Sequence, residues 1–523
     1  MATRSSLRLA AASGLALILV LALVAPALAQ AQQRSPEYNE VLAASRIVDA
    51  AARLKEFERL KAAYPAAQMK ETIDAFIQNA RVELAPSLDA VIALQKDFLG
   101  QGQGPRRATS YLQAASQLLE HPKAASFDKA KVLDTVSKYR DAGARTAKEP
   151  ETLAAIPGED QRMAFAAFFG NAFQIIVAKA QIFAGNAPSA LITMEAYKGA
   201  GGALDADYYS ILGDAQAQLG KNKEAYDAFL QAAVDNAKGA AAKALALYKK
   251  INGKEEGFLI ELEKKSKQLP YAPDAFEPPA GWKGKTVLAE IFTGSECPPC
   301  VAADLGFDGL IEAYPAKYLA ILEYHLPIPA PDPMMNPATK KRAEVYAATS
   351  TPTVVIDGDN KMIGGGSRSM AGGKFKQYKA AIDAKLAEAP AAELKITAAK
   401  AGDMVNVAFS ADVVVPGADY IVVLVQKEEN YKGSNGLQFH KLVVRDLLTV
   451  NPAGPKTATF NLAASEKATD AYLTDFEKTY TRIPNFKFAE RHAVIARQGL
   501  KVVFFAQDRT TKKVLNAAVA DVK

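Results

Sequence analysis

Cys297 and Cys300 are the only cysteines in the 523-residue chain, and they enclose two prolines. A bridge closing so short a loop removes little entropy from the unfolded chain, and a protein that used disulfides as staples would spread several over long loops. Cys297-Pro298-Pro299-Cys300 therefore reads as redox or metal chemistry. The apolar run Val287 to Phe292 and a helix from about Pro298 to Ala313 place Cys297 at a helix N-terminus. Unpaired N–H groups and the positive end of the helix dipole favour a thiolate there. Pro298 and Pro299 suit a first helical turn, where their missing N–H groups cost nothing. Cys297 is the candidate attacking thiol, and Cys300, further into the helix and expected to be less exposed, the candidate resolving thiol. Such a pair needs no external cofactor.

The segment from about Trp282 to Glu388 resembles the thioredoxin superfamily. The resemblance rests on the Cys-x-x-Cys after a strand, the later Thr351-Pro352-Thr353, and the Asp357-Gly358 turn ahead of Gly364-Gly365-Gly366. It implies a thiol:disulfide oxidoreductase in which a cis proline faces the cysteines and leaves a backbone edge for an extended substrate. That role falls to Pro352, with Thr351, Pro298 and Pro299 as substrate contacts. It also implies a buried carboxylate on the preceding strand that accepts the resolving thiol's proton, for which Glu290 is the candidate. Glu290 lies one residue further from Cys297 than the family spacing. Because a one-residue slip moves a side chain to the other face of a strand, the role requires the extra residue to sit in the Thr293 to Glu296 loop. The alternative is a partly solvated charge at a strand end.

His325 ends an expected strand, and with Cys297, Cys300, Met334 and Met335 it permits a copper site of thiolate, imidazole and thioether ligands. The plainer reading is a hydrogen-bonded strand-end histidine. A zinc ribbon would need a second ligand pair that the chain lacks, so no metal site is assigned. His121, His440 and His492 fall in unrelated regions and read as structural. The proline-rich run Leu326 to Pro337 is either a connector or an insertion forming a lid or substrate groove.

The elements that must position these residues form a multidomain chain. Residues 37–268 read as all-α, and Tyr209, Leu212, Gly213, Gly220, Ala225, Phe229 and Ala232 resemble a tetratricopeptide repeat, with Gly185, Ala190 and Met194 repeating part of the pattern 35 residues earlier. Such an array offers either a protein-binding surface or a bare scaffold. Residues 269–281 carry four prolines and read as a semi-rigid linker. The α/β thioredoxin-like domain follows at 282–388. Residues 393–523 show short β runs and one helix, Glu466 to Lys478, and read as an antiparallel β-sandwich with no motif tied to chemistry.

Residues 1–29 have the layout of a secretory signal: Arg4 and Arg8, an apolar run from Leu9 to Val24, and Ala27-Leu28-Ala29 before Gln30. The expected location is periplasmic or secreted; uncleaved, the same run is long enough to anchor the chain in the inner membrane. The net charge of +6 falls to +4 without Arg4 and Arg8, and the basic residues are interspersed with acids, which argues against nucleic acid. The expected partners are protein thiols or disulfides of the cell envelope, with a further protein on the helical repeats. The rival class is a binding or envelope-assembly scaffold whose cysteines form an inert bridge. Intact-mass analysis of exported protein should show a chain beginning at or near Gln30; retention of Met1 to Ala29 would make the protein membrane-anchored.

Overall fold

The computed structural model describes residues 37–523 apart from Ala67 and Pro484, so the expected signal segment, residues 1–29, lies outside the described residues. The chain divides into two compact units, one reaching to Gly202 and including Ser210–Ala225, the other formed by Ala203–Tyr209 and Tyr226–Lys523. The layout is helical first and sheet-containing later. Among the described residues thirteen helices, α1 (Tyr38–Ser45) to α13 (Phe258–Ser266), precede the first strand.

In the first unit, buried Leu112, Leu118, Val132, Val136, Phe169 and Phe173 share one core. Gly143 sits where helices come closest, since a Cβ there would meet Phe173, Tyr111 and Phe169 at 3.0 to 3.1 Å. The helix Glu159–Phe183 is long and apolar enough to cross a membrane, but half of its apolar window is buried within the protein. The residues read as a repeat fall on or just before three successive 13-residue helices, Ala187–Gly199, Ala206–Gln218 and Asn222–Val234. Gly185 and Gly220 precede two of them with φ of 78° and 74°, a left-handed conformation that glycine adopts without cost, and Ala190 and Ala225 are fully buried.

The second unit is organised by one eight-stranded sheet. Its strands are β1 (Val287–Thr293), β2 (Leu319–His325), β3 (Thr353–Ile356), β4 (Asn360–Ile363), β7 (Ala418–Asn430), β8 (Phe439–Val450), β10 (Leu500–Asp508) and β11 (Val514–Asp521), in the order β11-β10-β7-β8-β2-β1-β3-β4. β1 runs parallel to β2 and antiparallel to β3. A separate three-stranded sheet contains β5 (Leu394–Ala401), β6 (Met404–Ala411) and β9 (Thr457–Asn461). The expected division at 389–393 is thus a boundary along the chain and not in the sheet. β8 pairs with β2 at Glu323 and Val443, so the strands expected in a separate sandwich continue the sheet that begins at β1. An unpaired β2 edge would have left its backbone groups open to other chains.

The sheet curls back on itself. The Val514 N–H donates to the Asp357 carbonyl oxygen at 2.7 Å, and the Thr286 N–H to Asn516 Oδ1 at 2.9 Å, bringing the start of β11 to the flanks of β1 and β3. Inside the curl, Leu288, Phe292, Leu322, Val423, Val503 and Phe505 pack with residues of α15 (Pro337–Val345). Outside it, Val287, Ala289, Ile291 and Ile321 pack under α14 (Cys300–Ala313) and α16 (Ala371–Leu386). The three-stranded sheet covers the same outer face over β7 and β10, through Val407, Phe409, Val422 and Phe504.

Three expectations change. The Pro-rich segment is not a free spacer: the Tyr271 hydroxyl donates to the Leu305 carbonyl oxygen at 2.9 Å, and the Phe276 ring lies 4.4 Å from that of Tyr314, so aromatic burial fastens the segment to α14. Ala493 to Arg497, one of the short β runs read from the sequence, forms no strand, because its N–H groups are taken by side chains, Ile495 by Glu466 at 2.8 Å and Ala496 by Gln426 at 3.1 Å. Residues 331–336 are buried, so this part of the proline-rich run is an internal loop and not a lid.

That loop is held by a strap leaving α17 (Leu462–Thr479). The His492 N–H donates to the Pro333 carbonyl oxygen at 3.1 Å, and Met335 packs against Leu473 and Ala493. Glu477 anchors the strap, accepting from Lys487 at 2.8 Å, Arg491 at 2.9 Å and the Phe488 N–H at 3.1 Å. Burial alone would raise the Glu477 carboxyl, but these donors outweigh it and lower it to about 2. The unfolded chain titrates the group near 4.5, so its stabilisation is present above that pH and lost as pH falls towards 2. Glu477→Gln should lower the urea midpoint at pH 7 and flatten its dependence over this acid window; an unaltered acid slope would show that the strap is held otherwise.

Candidate active site

β1 ends at Thr293, the turn Gly294–Pro299 follows, and α14 starts at Cys300, two residues later than expected because both prolines precede it. The Cys297 N–H donates to Gly294 O at 3.1 Å and the Cys300 N–H to Cys297 O at 3.0 Å, folding the turn so that the sulfurs meet. They are joined as a disulfide, with Cα atoms 5.4 Å apart. The Thr351–Pro352 peptide is cis, as the resemblance implies. The Thr351 hydroxyl donates to the Ile328 carbonyl oxygen at 2.8 Å and lies 3.3 Å from Cys297 Sγ. A Cβ on Gly365 would sit 1.8 Å from Pro299 O and 2.8 Å from Pro352 Cγ, so only glycine lets the two proline segments approach. The Gly366 N–H donates to Pro299 O at 2.7 Å, closing the arrangement.

Pro298 and Pro299 are exposed, but both cysteines are 0% exposed. The expected inequality, an open Cys297 and a shielded Cys300, is therefore absent. A segment of the C-terminal strands overlies the turn: the Asn435 N–H donates to Ser295 O at 3.1 Å, Asn435 Nδ2 to Gly294 O at 3.3 Å, and the Tyr431 hydroxyl to Glu296 at 3.3 Å. The region read as having no tie to chemistry thus supplies the cover of the site.

Glu290 is buried but does not serve the cysteines. Leu288 and Phe292 face the inside of the curl while Val287, Ala289 and Ile291 face α14, so period-two alternation turns Glu290 inward, away from the helix that carries Cys300. There it accepts from Arg342 through both oxygens at 2.6 and 2.7 Å, from Tyr346 at 2.6 Å and from Tyr324 at 3.1 Å. The extra residue is part of the strand's register, and the expected role fails for that reason.

The carboxylate on the cysteines' side is Asp304, one turn beyond Cys300. It accepts from the Thr293 hydroxyl at 2.9 Å, and its other oxygen, Oδ1, is buried without a hydrogen-bond partner. Burial, reinforced by the charge of Glu323, pushes it well above the usual carboxylate range. On the same face β2 presents Glu323 and His325. His325 Nδ1 is 2.9 Å from Asp332 and Nε2 is 2.8 Å from Glu323. Burial opposes its protonation, but Asp332 and Glu323 prevail and raise it to about 10. Asp332 also accepts from the N–H groups of Ser295 at 2.7 Å and Met334 at 2.8 Å, tying the turn before Cys297 to this network. His440, on β8, is pushed down to about 4 by burial and by the charge of His325.

The copper set does not converge: the cysteines are bonded to each other and Met335 packs against Leu473. Of the residues read as structural, His440 joins the site network through His325, their rings 5.0 Å apart. The signals for what sequence reading missed were an Asp four residues after Cys300 in an apolar helix, and two polar residues two apart in the apolar strand Leu-Glu323-Tyr-His325. Comparison with protein-family models, curated proteins and solved structures finds no match to this chain.

Glu290→Gln leaves Arg342 buried and uncompensated, which should lower stability by roughly 3 to 5 kcal/mol. The alkylation rate of the reduced cysteines should stay unchanged; a changed rate with stability intact would return Glu290 to the site.

Proposed function

We propose that the chain is an extracytoplasmic thiol:disulfide oxidoreductase whose 282–388 segment has a thioredoxin-like fold. The observation that carries this reading is the Cys297–Cys300 disulfide between β1 and α14, with the Thr351 hydroxyl 3.3 Å from Cys297 Sγ and cis Pro352 following it. The order β2-β1-β3-β4, with α14 joining β1 to β2 and α16 after β4, supports the fold. Exposed Pro298, Pro299, Ile363 and Met370 offer an apolar rim suited to a protein substrate.

In the oxidising direction a substrate thiolate attacks Cys297 Sγ, the Cys297–Cys300 bond breaks, and Cys300 leaves as a thiolate. A second substrate thiolate then displaces Cys297, so two electrons and two protons pass to the protein as the substrate gains its disulfide. The reducing direction runs these steps backwards, with Cys297 attacking and Cys300 resolving. Either direction requires the 431–437 segment and Thr351 to yield, because Cys297 is enclosed. The tetratricopeptide-like helices serve as a docking surface for a protein partner, and residues 1–29 direct export to the periplasm or beyond.

Complete burial of both cysteines favours one second reading, an envelope scaffold with an inert bridge. Trapping separates the two. Cys300→Ala should accumulate mixed disulfides with envelope proteins, and Cys297→Ala far fewer, since Thr351, which must yield for exchange, lies against Cys297 Sγ. Equal trapping, or none by either variant, leaves the scaffold.

A further inference from the structure

Glu323, His325 and His440 have no part in thiol exchange, yet their geometry is specific. β2 carries the first two on the face beneath α14, and β8, paired to β2 beside Glu323, brings His440 against them. All three are buried, and one ligand atom from each lies within 4.8 Å of the others. Each imidazole is oriented from behind. His325 Nδ1 is 2.9 Å from Asp332, a carboxylate itself fixed by two backbone N–H groups, and His440 Nε2 is 3.0 Å from the Tyr431 carbonyl oxygen. The other nitrogens converge on a single atom: His325 Nε2 lies 2.8 Å and His440 Nδ1 3.9 Å from Glu323 Oε1.

We propose that Glu323, His325 and His440 bind one divalent transition-metal ion of the zinc class. Histidine ligands of metals characteristically give their outer nitrogen to a carboxylate or backbone carbonyl, and both imidazoles here are held in that way. Imidazole and carboxylate donors suit zinc, and tetrahedral bonds of roughly 2.0 to 2.1 Å place ligand atoms about 3.3 Å apart, between the two separations to Glu323 Oε1. Asp304, on α14, keeps a buried oxygen without a hydrogen-bond partner. The set contains no thiolate and differs from the copper ligands considered from the sequence.

The test uses untagged full-length mature protein kept oxidised, so that the cysteines cannot bind metal and the result stands apart from exchange activity. After chelator treatment, calorimetric titration with Zn2+ should give one saturable site. Asp332→Asn should weaken it by about 10- to 100-fold and His440→Gln or Glu323→Gln by more, with circular dichroism confirming the fold. Should those variants unfold, Co2+ added to the wild type decides: visible d–d absorption saturating at one equivalent and abolished by Zn2+ supports the site. Uptake well below one equivalent, absence of those bands, or folded His440→Gln with wild-type affinity overturns it.

Discussion

A strand buried on both faces must hand successive side chains to opposite layers, and this constraint governs the second unit. β1 is covered by α14 outside and by the interior of the curl inside, so each of its residues belongs to one layer or the other. Glu290 goes inward and Thr293 outward, and in β2 the outward positions fall to Glu323 and His325. The chemistry available beneath the disulfide follows from that parity alone.

Burying charge is unfavourable unless each charge finds a partner, and the protein meets the requirement separately on the two faces. Inside the curl, Glu290 is saturated by Arg342, Tyr346 and Tyr324, and Arg342 also donates to Gln507 at 2.6 Å, linking α15 to β1 and β10. Outside, Asp332 and Glu323 clamp His325, and the same Asp332 holds the turn before Cys297. The first network is structural by its completeness. The second borders the disulfide turn and keeps an unpartnered oxygen on Asp304.

Continuity of the sheet joins these features. Pairing of β8 with β2 places His440 beside His325, and the β7–β8 connection then lies over Gly294 to Glu296. The C-terminal segment is thus part of the site's wall and cover, and its removal would expose both the β2 edge and the disulfide.

Local features were legible in the sequence. Apolar residues marked β1 and the end of β2 to within a residue or two, and the lone Cys-x-x-Cys marked the turn, because each reflects burial periodicity or backbone restriction acting over a few residues. The cis peptide before Pro352 came from the resemblance. Other features depended on distant partners. Whether Glu290 faced Cys300 hinged on one residue of register, which no local pattern distinguishes from a longer loop. The shielding of Cys297 needed Asn435 and Thr351, the fastening of the Pro-rich segment needed α14, and the merging of the expected sandwich with the first sheet needed an edge on β2 that only β8 could fill. The sequence by itself determined which residues could react and which elements would carry them. Tertiary structure decided which of them meet, since hydrogen-bond pairing and close packing act between segments from tens to more than a hundred residues apart.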